Sequence, residues 1–128
     1  MKTITKTLLF FLILSLNIFA DSSNIKAYAI GIFNEKGNGE NIQHLRSSNN
    51  DYNGTCFSKI VVFGEVGSKS LQVKIGNSIG HFIKKIPVYN EKKIKIAEEM
   101  TFKHYNISKG YFQIKIDNKT TDTKVFIK

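Results

Sequence analysis

Alternation of apolar and polar residues with a period of two is the feature that most restricts the fold of this chain. It is clearest in Leu71-Gln72-Val73-Lys74-Ile75 and in Phe112-Gln113-Ile114-Lys115-Ile116-Asp117. Successive side chains of a strand point to opposite faces of a sheet, so this spacing predicts half-buried β-strands. Each segment is therefore expected to turn one face towards a hydrophobic core.

Further segments extend this pattern along the chain. Residues 25–33 and 55–63 are continuous runs of apolar and β-branched residues, which favour strands near the centre of a sheet. Residues 81–88 and 123–128 complete the set, and one short helical turn is predicted near residues 92–100. With turn-forming residues between these runs, the sequence predicts an all-β fold, a small antiparallel β-sandwich of six to eight strands.

The amino-terminal residues have the layout of a signal peptide. Lys2 and Lys6 precede an apolar run over residues 8–19, and Ala20 supplies a small residue at the expected cleavage edge. A membrane-spanning helix needs about 20 predominantly apolar residues, and this run is shorter. We therefore predict export to the periplasm or the exterior, cleavage after Ala20, no remaining transmembrane segment, and a single domain over residues 21–128.

The net charge of the chain is unevenly distributed. The formal charge of +9 includes Lys2 and Lys6 of the predicted leader, whose removal leaves +7. Residues 79–128 contain eleven basic against five acidic residues, whereas residues 21–78 contain six against five. One interpretation is that these lysines are solvated strand positions that prevent sheet-to-sheet aggregation. The other is a basic surface that attracts an acidic envelope component or protein, whereas nucleic acid is not expected for an exported domain.

The binding interpretation predicts which residues contact the partner. They are five lysines within a short stretch of the basic half, namely Lys84, Lys85, Lys92, Lys93 and Lys95. Exposed charges of this kind give an association that weakens as the salt concentration rises. The chain is accordingly predicted to be a non-catalytic, exported binding or accessory protein.

Residues with catalytic or metal-binding chemistry are sparse. His44, His81 and His104 lie far apart and lack the cysteine partners of a typical zinc site, so no metal and no cofactor is predicted. No nucleophile motif is present, and no catalytic residue is assigned. The alternative is an enzyme inhibitor or a hydrolytic enzyme whose site is built from loops around Glu40, His44 and Asp51.

Two further residues call for specific interpretations. Cys56 is the only cysteine, so the chain cannot form an internal disulfide, and its place in an apolar run predicts a buried, inert thiol. Asn53-Gly54-Thr55 is a glycosylation acceptor triplet, and Asp51 precedes it as in the extended acceptor of bacterial N-glycosylation. We predict Asn53 as a modification site, which an unmodified intact mass from the native host would contradict.

The carboxy-terminal residues resemble a known class of domains. Gly110-Tyr111-Phe112-Gln113-Ile114-Lys115-Ile116, a polar turn and Lys124-Val125-Phe126-Ile127 are similar to the last two strands of immunoglobulin-like exported domains. The resemblance implies a β-sandwich that ends in a hairpin, with its turn over residues 118–122. The paired cysteines and the buried tryptophan of true immunoglobulin domains are not present.

Overall fold

The computed structural model describes residues 25–122 and 125–128 of the chain. The predicted signal peptide, residues 1–20, lies outside these ranges. Within them the chain forms ten β-strands and no helix, which confirms the all-β prediction. The strands are β1 Lys26–Asn34, β2 Gly39–Asn41, β3 Gly54–Phe63, β4 Leu71–Ile75, β5 Ser78–Ile79, β6 His81–Tyr89, β7 Lys95–Ile107, β8 Gly110–Ile116, β9 Lys119–Asp122 and β10 Phe126–Ile127.

The strands form two antiparallel sheets. The first has the order β2-β1-β3-β7-β6, so that β3 is central and β6 forms a long edge. The second has the order β10-β8-β4-β5, and β9 also pairs with β8. Strands that follow each other in sequence are neighbours in several of these pairs, as expected for short connections.

The hydrophobic core lies between the two sheets. Alternate residues of each sheet point into it, as the period-two pattern predicts. Cys56 is fully buried there and makes no disulfide, so the predicted core thiol is confirmed. The main contributors are Ala27, Ile32, Ile60, Val62, Met100 and Phe102 from the first sheet, and Val73, Ile75, Phe112, Ile114 and Ile127 from the second.

The helical turn predicted near residues 92–100 is wrong. The segment begins as a turn, and from Lys95 it continues as β7, the longest strand. Residues such as Glu98, Glu99 and Met100 favour a helix locally, but β7 pairs with β3 on one side and β6 on the other. Two neighbouring strands satisfy its backbone groups, so the tertiary context overrides the local preference.

The predicted strand count and the predicted terminal turn are also wrong. Three short strands, β2, β5 and β9, lie largely in segments predicted as turns, which raises the count to ten. The turn after β8 is only Asp117–Asn118, with φ values of 50° and 66°, because these two residue types tolerate the left-handed conformation of a tight hairpin. Residues 119–122 therefore form β9, and β10 pairs with the start of β8.

The last residues of the chain are tied to the loop that precedes β3. The backbone N–H of Ser48 donates to the carbonyl of Phe126 at 2.8 Å, and the N–H of Tyr52 donates to the carbonyl of Lys128 at 2.7 Å. The N–H of Lys128 in turn donates to the Ser48 hydroxyl oxygen at 3.0 Å. Residues 126–128 thus lie between β8 and the loop of residues 46–52.

Two turns of the first sheet have the same design. One joins β1 to β2 and the other joins β6 to β7, and each opens with the sequence Asn-Glu-Lys, at Asn34 and Asn90. The side-chain oxygen of each asparagine accepts the backbone N–H groups two and four residues later, at 2.9–3.1 Å. The fourth residue is left-handed in both turns, with φ of 87° at Gly37 and 64° at Lys93.

Exchanging the fourth residues of these turns is expected to shift stability in opposite directions. Lys93→Gly should raise the free energy of unfolding by about 1 kcal/mol, because a non-glycine residue is strained at positive φ. Gly37→Lys should lower it by a similar amount, and crowding contributes nothing there because a Cβ at Gly37 has no atom within 4 Å. Urea unfolding of both variants checks this, and a loss of stability in Lys93→Gly contradicts it.

Candidate functional site

The predicted contact lysines lie on one edge of the first sheet. We call residues 81–95, which comprise β6, the turn that follows it and the first residue of β7, the basic edge. It contains five lysines and one acidic residue, Glu91. β6 has β7 as its only neighbour in the sheet, and eight of its nine residues, all but Val88, are exposed. The five lysines therefore lie along one accessible edge, with Lys84 and Lys85 on opposite faces of the sheet.

Two of the five lysines are paired within the protein. The Lys85 and Lys95 ammonium groups lie 3.6 Å and 3.3 Å from the same carboxylate oxygen of Glu98. Lys84, Lys92 and Lys93 are exposed and take part in no ion pair among the described residues. These three lysines are the ones whose charge is least compensated locally.

Positive charge continues from the basic edge across the outer face of the first sheet. Lys84 pairs across strands with Thr101, which pairs with Lys59, and directly paired residues share a face. Their neighbours Ile60 and Met100 point into the core, so this row faces away from it. Lys59 is partly compensated by Glu99, whose carboxylate lies 3.6 Å from its ammonium group.

Aromatic rings accompany the lysines on this outer face. The ammonium group of Lys59 lies 5.1 Å from the ring centroid of Phe33. That of Lys103 lies 5.5 Å from Phe57 and 5.1 Å from Tyr105, distances typical of cation–π contacts. The second sheet differs, because its outer face alternates in the ordinary polar way, with Gln72 opposite Lys115 and Lys74 opposite Gln113.

The basic edge also exposes apolar side chains, which sequence reasoning did not single out. Phe82, Ile83, Ile86 and Tyr89 of β6 are 46–54 % exposed. Large apolar residues gathered on one strand are unusual for a solvated edge. Period-two alternation could not reveal them, because residues on both faces of β6 are exposed and neither face is buried.

The three histidines are not brought together as one site. His44 and His81 are exposed, and the His81 ring contacts Tyr105 with centroids 5.4 Å apart. His104 is fully buried, as is Ser58, and the His104 Nε2 lies 2.8 Å from the Ser58 hydroxyl. Burial lowers the pKa of His104 to about 4, although the nearby Ser78 carbonyl opposes this change.

The buried serine and histidine form a structural pair. Neither side chain reaches the surface, so the hydroxyl is not offered to a substrate. A Cβ at Gly80 would lie 2.8 Å from the His104 ring, which shows how closely the β5–β6 connection packs against it. The pair was missed in the sequence because 46 residues separate its members.

Glu40, one of the loop residues proposed for an enzymatic site, accepts hydrogen bonds from the loop that precedes β3. Both carboxylate oxygens of Glu40 accept hydrogen bonds, from the backbone N–H groups of Asn49 and Asn50, from the Asn50 side-chain amide and from the Tyr52 hydroxyl, at 2.8–3.1 Å. Burial alone would raise the pKa of Glu40, but these donors outweigh it and the pKa is lowered. His44 and Asp51 are exposed and do not take part in this network.

The remaining candidate residues are placed as follows. Asn53 and Asp51 are exposed, on either side of the buried Tyr52, directly before β3. Burial raises the pKa of the Cys56 thiol to about 12, which keeps it protonated. Among the side chains that the structure describes, no group of three His, Cys, Asp or Glu residues is arranged to hold a metal ion.

Comparison with protein-family models, curated proteins and solved structures gave no match. In the part of the chain that the structure describes, no helix is long and apolar enough to cross a membrane. The basic edge is the strongest indication of function in the described residues.

Proposed function

We propose that this chain is an exported, non-catalytic binding protein whose basic edge contacts an acidic partner. The observation that carries the proposal is the concentration of five lysines and five exposed apolar side chains, Ile94 included, within the fifteen residues of the basic edge. Export rests on the layout of residues 1–20, which points to the periplasm or the exterior.

Electrostatics supports this assignment of the contact surface. Lys84, Lys92 and Lys93 lack a paired carboxylate among the described residues, and Lys59 and Lys103 extend the positive charge over the outer face. Such a surface attracts acidic partners over distances near the Debye length, about 8 Å at physiological ionic strength. The exposed apolar side chains add burial once contact is made.

A charge-reversal variant tests the role of the basic edge. Binding of residues 21–128 to immobilised poly-glutamate, to polygalacturonate and to phosphatidylglycerol vesicles is measured at low and high salt. The triple variant Lys84→Glu, Lys92→Glu and Lys93→Glu should bind its best probe at least tenfold more weakly than the unmodified chain, because the contact charges are inverted.

A matched variant separates a local surface from overall charge. Lys74→Glu, Lys109→Glu and Lys115→Glu change the net charge equally, but these residues lie on or beside the second sheet. This control should retain most of the binding. Equal losses in both variants, or no salt-sensitive binding to any probe, would contradict the proposal.

The immunoglobulin-like resemblance stays part of the proposal. Two antiparallel sheets with a shared core support it, as does the pairing of β10 with β8 at the end of the domain. A crystal structure with a strand order that immunoglobulin-like domains do not have would contradict the resemblance without affecting the proposed binding role.

A further inference from the structure

We infer that β6 binds an extended, acidic segment of another protein, which adds to the first sheet as a sixth strand. This inference rests on the proposed function, because it specifies which acidic partner the basic edge accepts and by what contacts. An edge strand presents a row of unpaired N–H and C=O groups, and strand addition uses them for affinity.

The backbone geometry shows which groups of β6 face outward. The N–H of Asn90 donates to the carbonyl of Ile94 at 2.9 Å, so Asn90 faces β7. β6 itself is regular from Lys84 to Asn90, because the register shift near Tyr89 inserts its extra residue in β7. Alternation then directs the backbone groups of Lys85, Pro87 and Tyr89 away from β7.

The position of the proline agrees with this assignment. Pro87 has no N–H, so it is tolerated in a strand where that position faces away from the neighbouring strand. The outward edge therefore offers N–H donors at Lys85 and Tyr89, and carbonyl acceptors at Lys85, Pro87 and Tyr89. A partner strand fits this row if none of its carbonyl groups needs an N–H donor from Pro87.

Side chains of β6 define the chemistry of the added strand. Lys84 lies on the outer face, opposite Thr101, and Lys85 lies on the other face, opposite Met100. Acidic side chains on either face of the partner would meet one of these lysines. Apolar side chains would cover Ile86 and Phe82, which are 46 % and 54 % exposed.

Length and charge distinguish β6 from the other edges and its partner from a second copy. The other edge strands have only two to four residues, whereas β6 has nine. Two copies joined through β6 would place five lysines and one carboxylate of residues 81–95 against the same set. Like charges across strands are destabilising, so the charge favours a different, acidic chain.

Amide hydrogen exchange of residues 21–128 tests the strand addition. The probe is a nonapeptide of alternating Glu and Val, and the control is the same peptide with alternate backbone nitrogens methylated. At saturation the unmethylated peptide should slow exchange at Lys85 and Tyr89 at least tenfold. The amides of Lys84, Ile86 and Val88 should not change, because they already face β7.

Three other outcomes would each overturn the inference. If both peptides bind equally and Lys85 and Tyr89 stay unprotected, the contact is made by charge alone, and the proposed function survives without strand addition. If neither peptide binds while the salt-sensitive binding of the three anionic probes persists, the acidic partner is not a strand. If the same two amides become protected with rising protein concentration and no peptide, the occupant is a second copy.

Discussion

Acidification from pH 6.5 to pH 4.5 is expected to lower the free energy of unfolding by about 2 kcal/mol, through His104. Burial lowers the pKa of His104 from 6.5 to about 4 in the folded chain. Between these values the unfolded state binds a proton that the folded state does not, so the stability that His104 contributes is complete only well above pH 6.5 and falls as the pH decreases. The slope is at most about 1.4 kcal/mol per pH unit and is steepest midway between the two pKa values.

Chemical denaturation between pH 5 and pH 7 measures this slope. The variant His104→Gln keeps a hydrogen-bonding group near Ser58 but cannot titrate, so its slope should nearly vanish. His44→Gln is the matched control, since His44 is exposed, and it should keep the slope of the unmodified chain. Glu40, with its lowered pKa, contributes only at lower pH, where its protonation removes further stability. An unchanged slope in His104→Gln would refute the assignment to this residue.

Replacing Glu40 by alanine should lower the free energy of unfolding by about 2–3 kcal/mol. The carboxylate accepts four hydrogen bonds, and its removal leaves the Tyr52 hydroxyl and the backbone donors of Asn49 and Asn50 without their acceptor. Tyr52 is 4 % exposed, so water replaces the lost bond poorly there. Urea unfolding at pH 7 measures the change.

Glu35→Ala provides the comparison for Glu40. Glu35 is an exposed carboxylate in the turn between β1 and β2, so its removal should change stability by less than about 0.5 kcal/mol. Equal effects of the two substitutions would show that the hydrogen bonds of Glu40 add nothing to stability. A second check is Tyr52→Phe, which removes one of the four bonds and should cost about 1 kcal/mol.

The parts of the fold that the sequence predicts are those in which local pattern and final environment agree. β4 and β8 alternate strictly and pair with each other, with Val73 opposite Ile114 in the core. β7 was not predicted because Glu98 and Glu99 favour a helix locally, while the partners that hold the segment extended come from distant residues. The terminal turn was placed too late because two residues at positive φ suffice to reverse the chain.

The candidate site could also be predicted only in part. Charge counting located the five lysines, because composition needs no partner information. It could not show that Lys85 and Lys95 share Glu98, since the ion pairs depend on the register between β6 and β7. Glu98 and Glu99 do lie on opposite faces, as their adjacency in a strand requires, and each meets a different lysine.

The attachment of residues 126–128 to the loop before β3 limits when this domain can complete its folding. The loop emerges from the ribosome long before its hydrogen-bonding partners, which lie nearly eighty residues later. During that interval Ser48 and Tyr52 lack the backbone bonds that fix them, and β8 lacks the strands that cover its outer edge. An elongating chain would therefore lack these contacts between the loop and β8 until residues 126–128 have been synthesised.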